Sequence, residues 1–293
     1  MKILIIAAST TRQTLRQPIL FAIVGLSAMM IFVSKFFTLF TFGQQEQLNM
    51  MREMGLATIT MSGLLYTVFA SALAITEDLE RKSALTVLCK PVHRYEFILG
   101  KFFGISFTIV CVYVVLTVTL LFTLWIGQTQ LVLKDDYLKA PGDLLSYCRF
   151  YAPPILKGVV LSYFEIILLN AISLALATRL PMLINLAVCS LVFIVGNLSN
   201  YLYTLLIRGF TNDVEKIASY SWFQLLSEYP TIAVARIFYV IIPNLESFNI
   251  SSAVAYGIYV SPKYIMLTVS YGLVYTTIAL LTALVSFEHL ELM

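Results

Sequence analysis

Chemistry needs side chains that hold a proton, a metal or a nucleophile, and this chain offers few at useful spacings. Its two histidines, His93 and His289, are separated by most of the sequence, so neither an HExxH pair nor a histidine metal cluster can form locally. No Gly-x-Ser-x-Gly elbow presents a serine nucleophile. Cys89, Cys111, Cys148 and Cys189 make no CxxC pair and read as free packing thiols. Gly100-Lys101 resembles the end of a phosphate-cradling loop, but Tyr95 stands where that loop needs its first glycine and Phe102 where it needs Ser or Thr. Any ATP used is therefore hydrolysed by another chain. Glu165 is the one acid within a long apolar run, flanked two turns earlier by Lys157. A carboxylate at such a depth costs about 3 kcal/mol unless paired or wetted. It could meet a substrate, carry a proton or pair with Lys157. Asn185, Asn197 and Asn200 read as hydrogen-bonding residues between helices, with cavity lining as the alternative.

The elements that must hold these groups are set by composition. Apolar residues make up 59% of the 293 residues and charged residues only 12%, with a net charge of +3. Soluble domains carry about 25% charge, so too few groups remain to wet a surface. That excludes an ordinary soluble enzyme, a disordered chain and a nucleic-acid binder. A membrane span needs about 20 mostly apolar helical residues. Six stretches qualify: Ile19–Phe42, Leu56–Thr76, Phe102–Ile126, Ile155–Thr178, Met182–Ile207 and Tyr264–Phe287. All are too long for barrel strands. The expected fold is an all-α integral membrane protein of six transmembrane helices, with residues 1–293 forming one domain.

With both termini inside, the inner segments hold nine Lys/Arg in 52 residues and the outer segments eight in 97. The basic density favours that orientation. At the start, Lys2, Ser9, Arg12, Gln13 and Arg16 share one helical face, and Leu4, Ala8, Thr11 and Leu15 another. Residues 1–18 are expected to form an interfacial amphipathic helix, basic face toward anionic lipid, ended by Pro18. A frayed basic tail is the plainer alternative. Gly100-x-x-x-Gly104 permits close helix approach.

The inner segment 77–101 is both charged and apolar. Glu77, Asp78 and Glu80 open it and Lys90 precedes Pro91, a polarity that complements a short helix's dipole. Leu85, Leu88, Val92, Tyr95 and Leu99 recur at three- and four-residue steps. Two short amphipathic helices bent at Pro91 are expected, against a solvated connector as the bland reading. In the outer segment 208–263, Ile232–Ile242 is an apolar run of about 16 Å, too short to cross, and is expected to be re-entrant or interfacial.

From Glu80 to Lys101 the sequence resembles the inner loop of ABC-2 type permeases, the membrane subunits of ABC exporters. Leu85, Leu88, Pro91, Arg94, Gly100 and Lys101 match the pattern, while Ser83-Ala84 stands where Gly-Thr is usual. Pro243-Asn-Leu is similar to a motif of many bacterial members, and the amphipathic start, six spans and long outer segment agree in order. The resemblance implies that the loop is a coupling helix docking in a groove of a cytoplasmic ATPase. Glu77, Glu80 and Arg81 would then make polar contacts, Leu85 and Leu88 would anchor, and Pro91 would hold the angle. Arg94 and Lys101 would touch headgroups or the partner.

It further implies an exporter complex of two ATPases and two permease chains, a homodimer or a pair with a related chain, set in lipid in the cytoplasmic membrane. ATP and magnesium would be held by the ATPase, with no cofactor on this chain and no nucleic-acid partner. An ion-coupled transporter using Glu165 is the second reading, and a membrane enzyme or assembly scaffold the third.

Overall fold

The computed structural model describes residues 2–37, 44–80, 94–134, 144–210 and 243–288. Among these, every regular element is a helix: α1 (Lys2–Leu15), α2 (Pro18–Phe37), α3 (Gln44–Glu80), α4 (Arg94–Lys134), α5 (Leu144–Ala177), α6 (Met182–Phe210), α7 (Ser251–Ala255) and α8 (Pro262–Glu288), with one 3-10 turn at Glu246–Phe248. Six of them, α2 to α6 and α8, are long and apolar enough to cross a membrane. This is the build of a multi-pass membrane protein.

Two helices outrun the spans expected from hydropathy. α3 has 37 residues and α4 has 41, about 55 and 60 Å against a hydrocarbon core of about 30 Å. The outer connector expected at 43–55 is instead largely the opening of α3, where Glu46 lies in the favourable first turn. No proline interrupts it, and Gly55 packs directly against the Leu120 side chain of α4, where a Cβ would displace the leucine. The second short helix expected after Pro91 is the beginning of α4, which runs unbroken from Arg94 through Lys101. α5 starts eleven residues before the expected span, at Leu144, and carries Pro153 and Pro154 inside it. Each proline removes one amide donor without ending an otherwise apolar helix.

The chain divides into two compact units, Met1–Ala187 with Asn249–Met293, and Val188–Phe248. In the first, α3, α4 and α5 form the centre. Two thirds of the α3 and α5 spans are buried, against about a fifth for α2 and α8. α2 packs on α3 and α4, α8 chiefly on α5, and α1 on α4. α3 and α5 run parallel in constant register. Thr60 meets Ser162 and Ser71 meets Ser173, each pair 102 positions apart. Gly158 faces Leu56 at the same offset, its Cβ position 3.3 Å from the leucine methyl. α4 lies antiparallel across both, with Gly55, Gly63 and Ala74 of α3 opposite Leu120, Tyr113 and Lys101. Lipid gives apolar helices little reason to associate, so small residues and hydrogen bonds hold such a core.

At the end of the bundle that holds the α3 N-terminus, α7 closes with a helix-ending turn. Ile258 donates to Ala253 and Gly257 to Val254, with Gly257 at φ +70° supplying the left-handed residue. Two cations fix this turn: Arg52 of α3 donates to the Ala255 carbonyl and Lys157 of α5 to that of Val260. In the second unit, the amide of Leu245 donates to the Gly196 carbonyl at 3.1 Å, and a Cβ on Gly196 would meet Leu245 at 2.7 Å. The Pro243-Asn-Leu turn is thus seated on a glycine of α6. The apolar run 232–242 lies outside the described residues.

Candidate functional site

Hydroxyl and amide groups line the facing surfaces of the central helices. On α3, Thr60, Thr67, Ser71 and Ala74 follow one another at steps of seven, four and three, which keeps them on one stripe. On α5, Ser162, Asn170 and Ser173 lie on one face with Glu165 at its other edge, and all four are buried. Between them lies a polar seam. Thr60 Oγ1 and Ser162 Oγ are 2.7 Å apart, and Tyr113 of α4 reaches Ser162 Oγ at 3.1 Å. Gly63 makes room for that phenol, since a Cβ there would fall 2.6 Å from its oxygen. Further along, Asn170 Nδ2 donates to Ser106 Oγ at 3.2 Å and to the Phe102 carbonyl at 3.4 Å. Ser173 closes the seam with hydrogen bonds to Ser71 and from Asn185 Nδ2 of α6, the latter at 3.0 Å.

Glu165 is 2% exposed within this core, and it interacts electrostatically with Tyr113. The pairing with Lys157 does not form. That ammonium reaches the Val260 carbonyl at 3.3 Å and lies 5.1 Å from the Tyr259 ring centre. Eight residues of helix separate Lys157 from Glu165 by about 12 Å, too far for one side chain to span when another acceptor is nearer. Asn185 joins two helices as expected, whereas Asn197 donates back to Phe193 in its own helix. Sequence reading missed Asn170, whose Oδ1 is buried without a partner among the described residues, as is Thr67 Oγ1. The signal available was its place on the same α5 face as Ser162 and Ser173.

The segment matched to the permease loop is described only at its edges. Glu77 and Glu80 lie in the last turn of α3, and Arg94 opens α4. Arg81, Leu85, Leu88 and Pro91 lie outside the described residues. Lys101, expected at headgroups or a partner, is 4% exposed. Its Nζ donates to the Ala74 carbonyl at 2.9 Å and lies 5.5 Å from the Phe97 ring centre. An ammonium bonded to a backbone carbonyl contributes about 1.5–3 kcal/mol, so Lys101 clips α4 to α3 close to the ends that flank residues 81–93.

Gly100 and Gly104 receive α1. Added Cβ atoms would meet Ile6 at 2.6 Å and the Ala7 carbonyl at 2.7 Å. Thr11 Oγ1 donates to the Gly104 carbonyl, and Thr14 and Thr108 hydroxyls lie 2.8 Å apart. The amphipathic start is thus a docked helix with Thr10 and Thr14 buried. Among the described residues, no group of three or more His, Cys, Asp or Glu is placed to hold a metal ion. What the described residues of the seam do is hydrogen-bond across α3, α4, α5 and α6, which fixes the register of these helices. Comparison with models of known protein families gives no match, and comparison with curated proteins gives none either.

Proposed function

We propose that this chain is the permease subunit of an ATP-driven ABC-2 type exporter, energised by separate cytoplasmic ATPases. The observation that carries the reading is the pair of long helices, α3 and α4, that lead into and out of residues 81–93. α3 and α4 extend beyond a membrane's thickness and are clipped together by Lys101 and Ala74. The segment joining them bears the permease pattern at Leu85, Leu88 and Pro91. A partner gripping that segment would move two stiff levers that end in the packed core, which is the mechanical requirement for coupling. In this reading 81–93 holds the coupling helix, the termini are inside, and residues 232–242 cap the exit side. Two such chains, identical or related, would enclose the path in the cytoplasmic membrane.

The test is a mild-detergent pull-down of the tagged full chain, with co-purifying partners identified by mass. A stoichiometric soluble ATPase should appear and be lost with Leu88→Asp, which replaces an apolar anchor by a charge, while the variant remains in the membrane. An ATPase retained by Leu88→Asp would overturn the assignment of the coupling surface. No nucleotide-binding partner at all would overturn the exporter reading.

A further inference from the structure

We infer that the groove between α1 and α4 is a binding site for one anionic phospholipid per chain, its phosphate held by Arg12 and Arg16 and one acyl chain laid against Phe103 and Phe107. The groove has a volume of about 740 Å3 and is walled by Leu4, Leu15, Phe103 and Phe107, with both arginines at its rim. That volume lies within the roughly 300–1,000 Å3 of small-molecule sites. Its surface is overwhelmingly apolar, and Phe103 and Phe107 are 53% and 59% exposed on a helix that spans the membrane. Acyl chains are what such a face meets.

The charged part is equally defined. Arg12 lies in the last turn of α1 and Arg16 in the turn that follows, its amide bonded to the Gln13 carbonyl, and both line a second, smaller lobe with Ser9 and Gln13. Neither guanidinium has a hydrogen-bond or ion-pair partner among the described residues, and both are exposed. Both border the same lobe, so two guanidiniums can converge on one phosphodiester through charge-assisted bonds. A zwitterionic lipid brings an ammonium to the same place and is disfavoured.

What separates a site from a generally basic surface is that its walls are fixed. α1 is packed against α4. It is seated on Gly100 and Gly104, with hydrogen bonds from Thr11 to Gly104 and between Thr14 and Thr108. The backbone that carries Arg12 is therefore placed beside the two phenylalanines before the lipid arrives, which lowers the cost of ordering the site. The inference does not depend on what energises or passes through the protein.

The full chain in mild detergent would be offered phosphatidylglycerol and phosphatidylcholine of identical acyl chains, and the retained lipid counted by native mass spectrometry. One phosphatidylglycerol per chain is expected, preferred on the order of tenfold, the worth of about one charge-assisted hydrogen bond. The R12Q/R16Q double variant should lose the preference, and Ala8→Trp, which fills the groove, should lose retention of both lipids. R179Q, at an exposed arginine remote in sequence from α1, should match the unsubstituted chain. Equal retention of the two lipids by the native chain would overturn the inference. So would a preference that survives R12Q/R16Q, or one that R179Q reduces as much. Full displacement by glycerol 3-phosphate would also overturn it, by showing a phosphate site with no acyl component.

Discussion

At the scale of single residues, glycines and a lysine set the contacts between the described helices. Gly104 can be distinguished from an ordinary helical glycine because a Cβ there would press 2.7 Å from both the Ala7 carbonyl and Thr10, whereas Gly25 has nothing within 4 Å. Gly104→Val should therefore cost about 1–3 kcal/mol of packing and lift α1 from α4. Gly25→Val should change neither. Hydrogen exchange of the α1 amides is the measurement: faster exchange with Gly104→Val and unchanged exchange with Gly25→Val are expected, and equal rates would show that α1 is not held by this contact. The GxxxG spacing was visible in the sequence, but its partner was not. A four-residue repeat of small residues states that a helix can come close, and says nothing of which one. Lys101 differs for a related reason. The permease resemblance gives it headgroups or a partner to touch, and only the placement of the Ala74 carbonyl shows its ammonium turned toward α3.

At the scale of helices, hydropathy located all six spans but not their full lengths. The signal stops where lipid stops, while a helix continues until a breaker or an unsatisfied end halts it. Residues 44–55 of α3 and 144–154 of α5 are helical beyond that limit. The parallel register of α3 and α5 was hidden as well, because Ser and Thr in a span read as solvated back onto their own helix. Many are: Thr60 also bonds the Leu56 carbonyl and Thr108 that of Gly104. The pairing of Thr60 with Ser162 and Ser71 with Ser173 emerges only when both stripes are laid together. In a background without the four native cysteines, Thr60→Cys with Ser162→Cys should form a disulfide on mild oxidation. Thr60→Cys with Ile166→Cys, one turn out of register, should remain largely reduced. Gel mobility with and without reductant reports both, and equal cross-linking would contradict the fixed register.

For the whole molecule, what distinguishes the two energetic readings is the work asked of Glu165. The carboxyl is buried and interacts with Tyr113 of α4, whose hydroxyl belongs to a seam in which Thr60, Tyr113 and Ser162 bond one another. An ion-coupled carrier would require that group to exchange protons with both sides of the membrane in each cycle, so the surrounding helices would have to part around it. The three central helices are instead joined in register by hydroxyl pairs at both ends of the seam and by the Lys101 clip. Such a body is better suited to moving as one piece than to opening internally. Glu165→Gln keeps the shape and hydrogen-bonding capacity while removing the titratable proton. In the ATP-driven reading it should leave the transport rate within about twofold and its pH profile unshifted, the substitution acting only on packing at a scale of about 1 kcal/mol. Transport into vesicles, measured across pH with and without the ATPase and ATP, decides the matter. Loss of transport with Glu165→Gln, together with native transport in the absence of ATP, would place the energy source at that carboxyl and move the function to ion coupling.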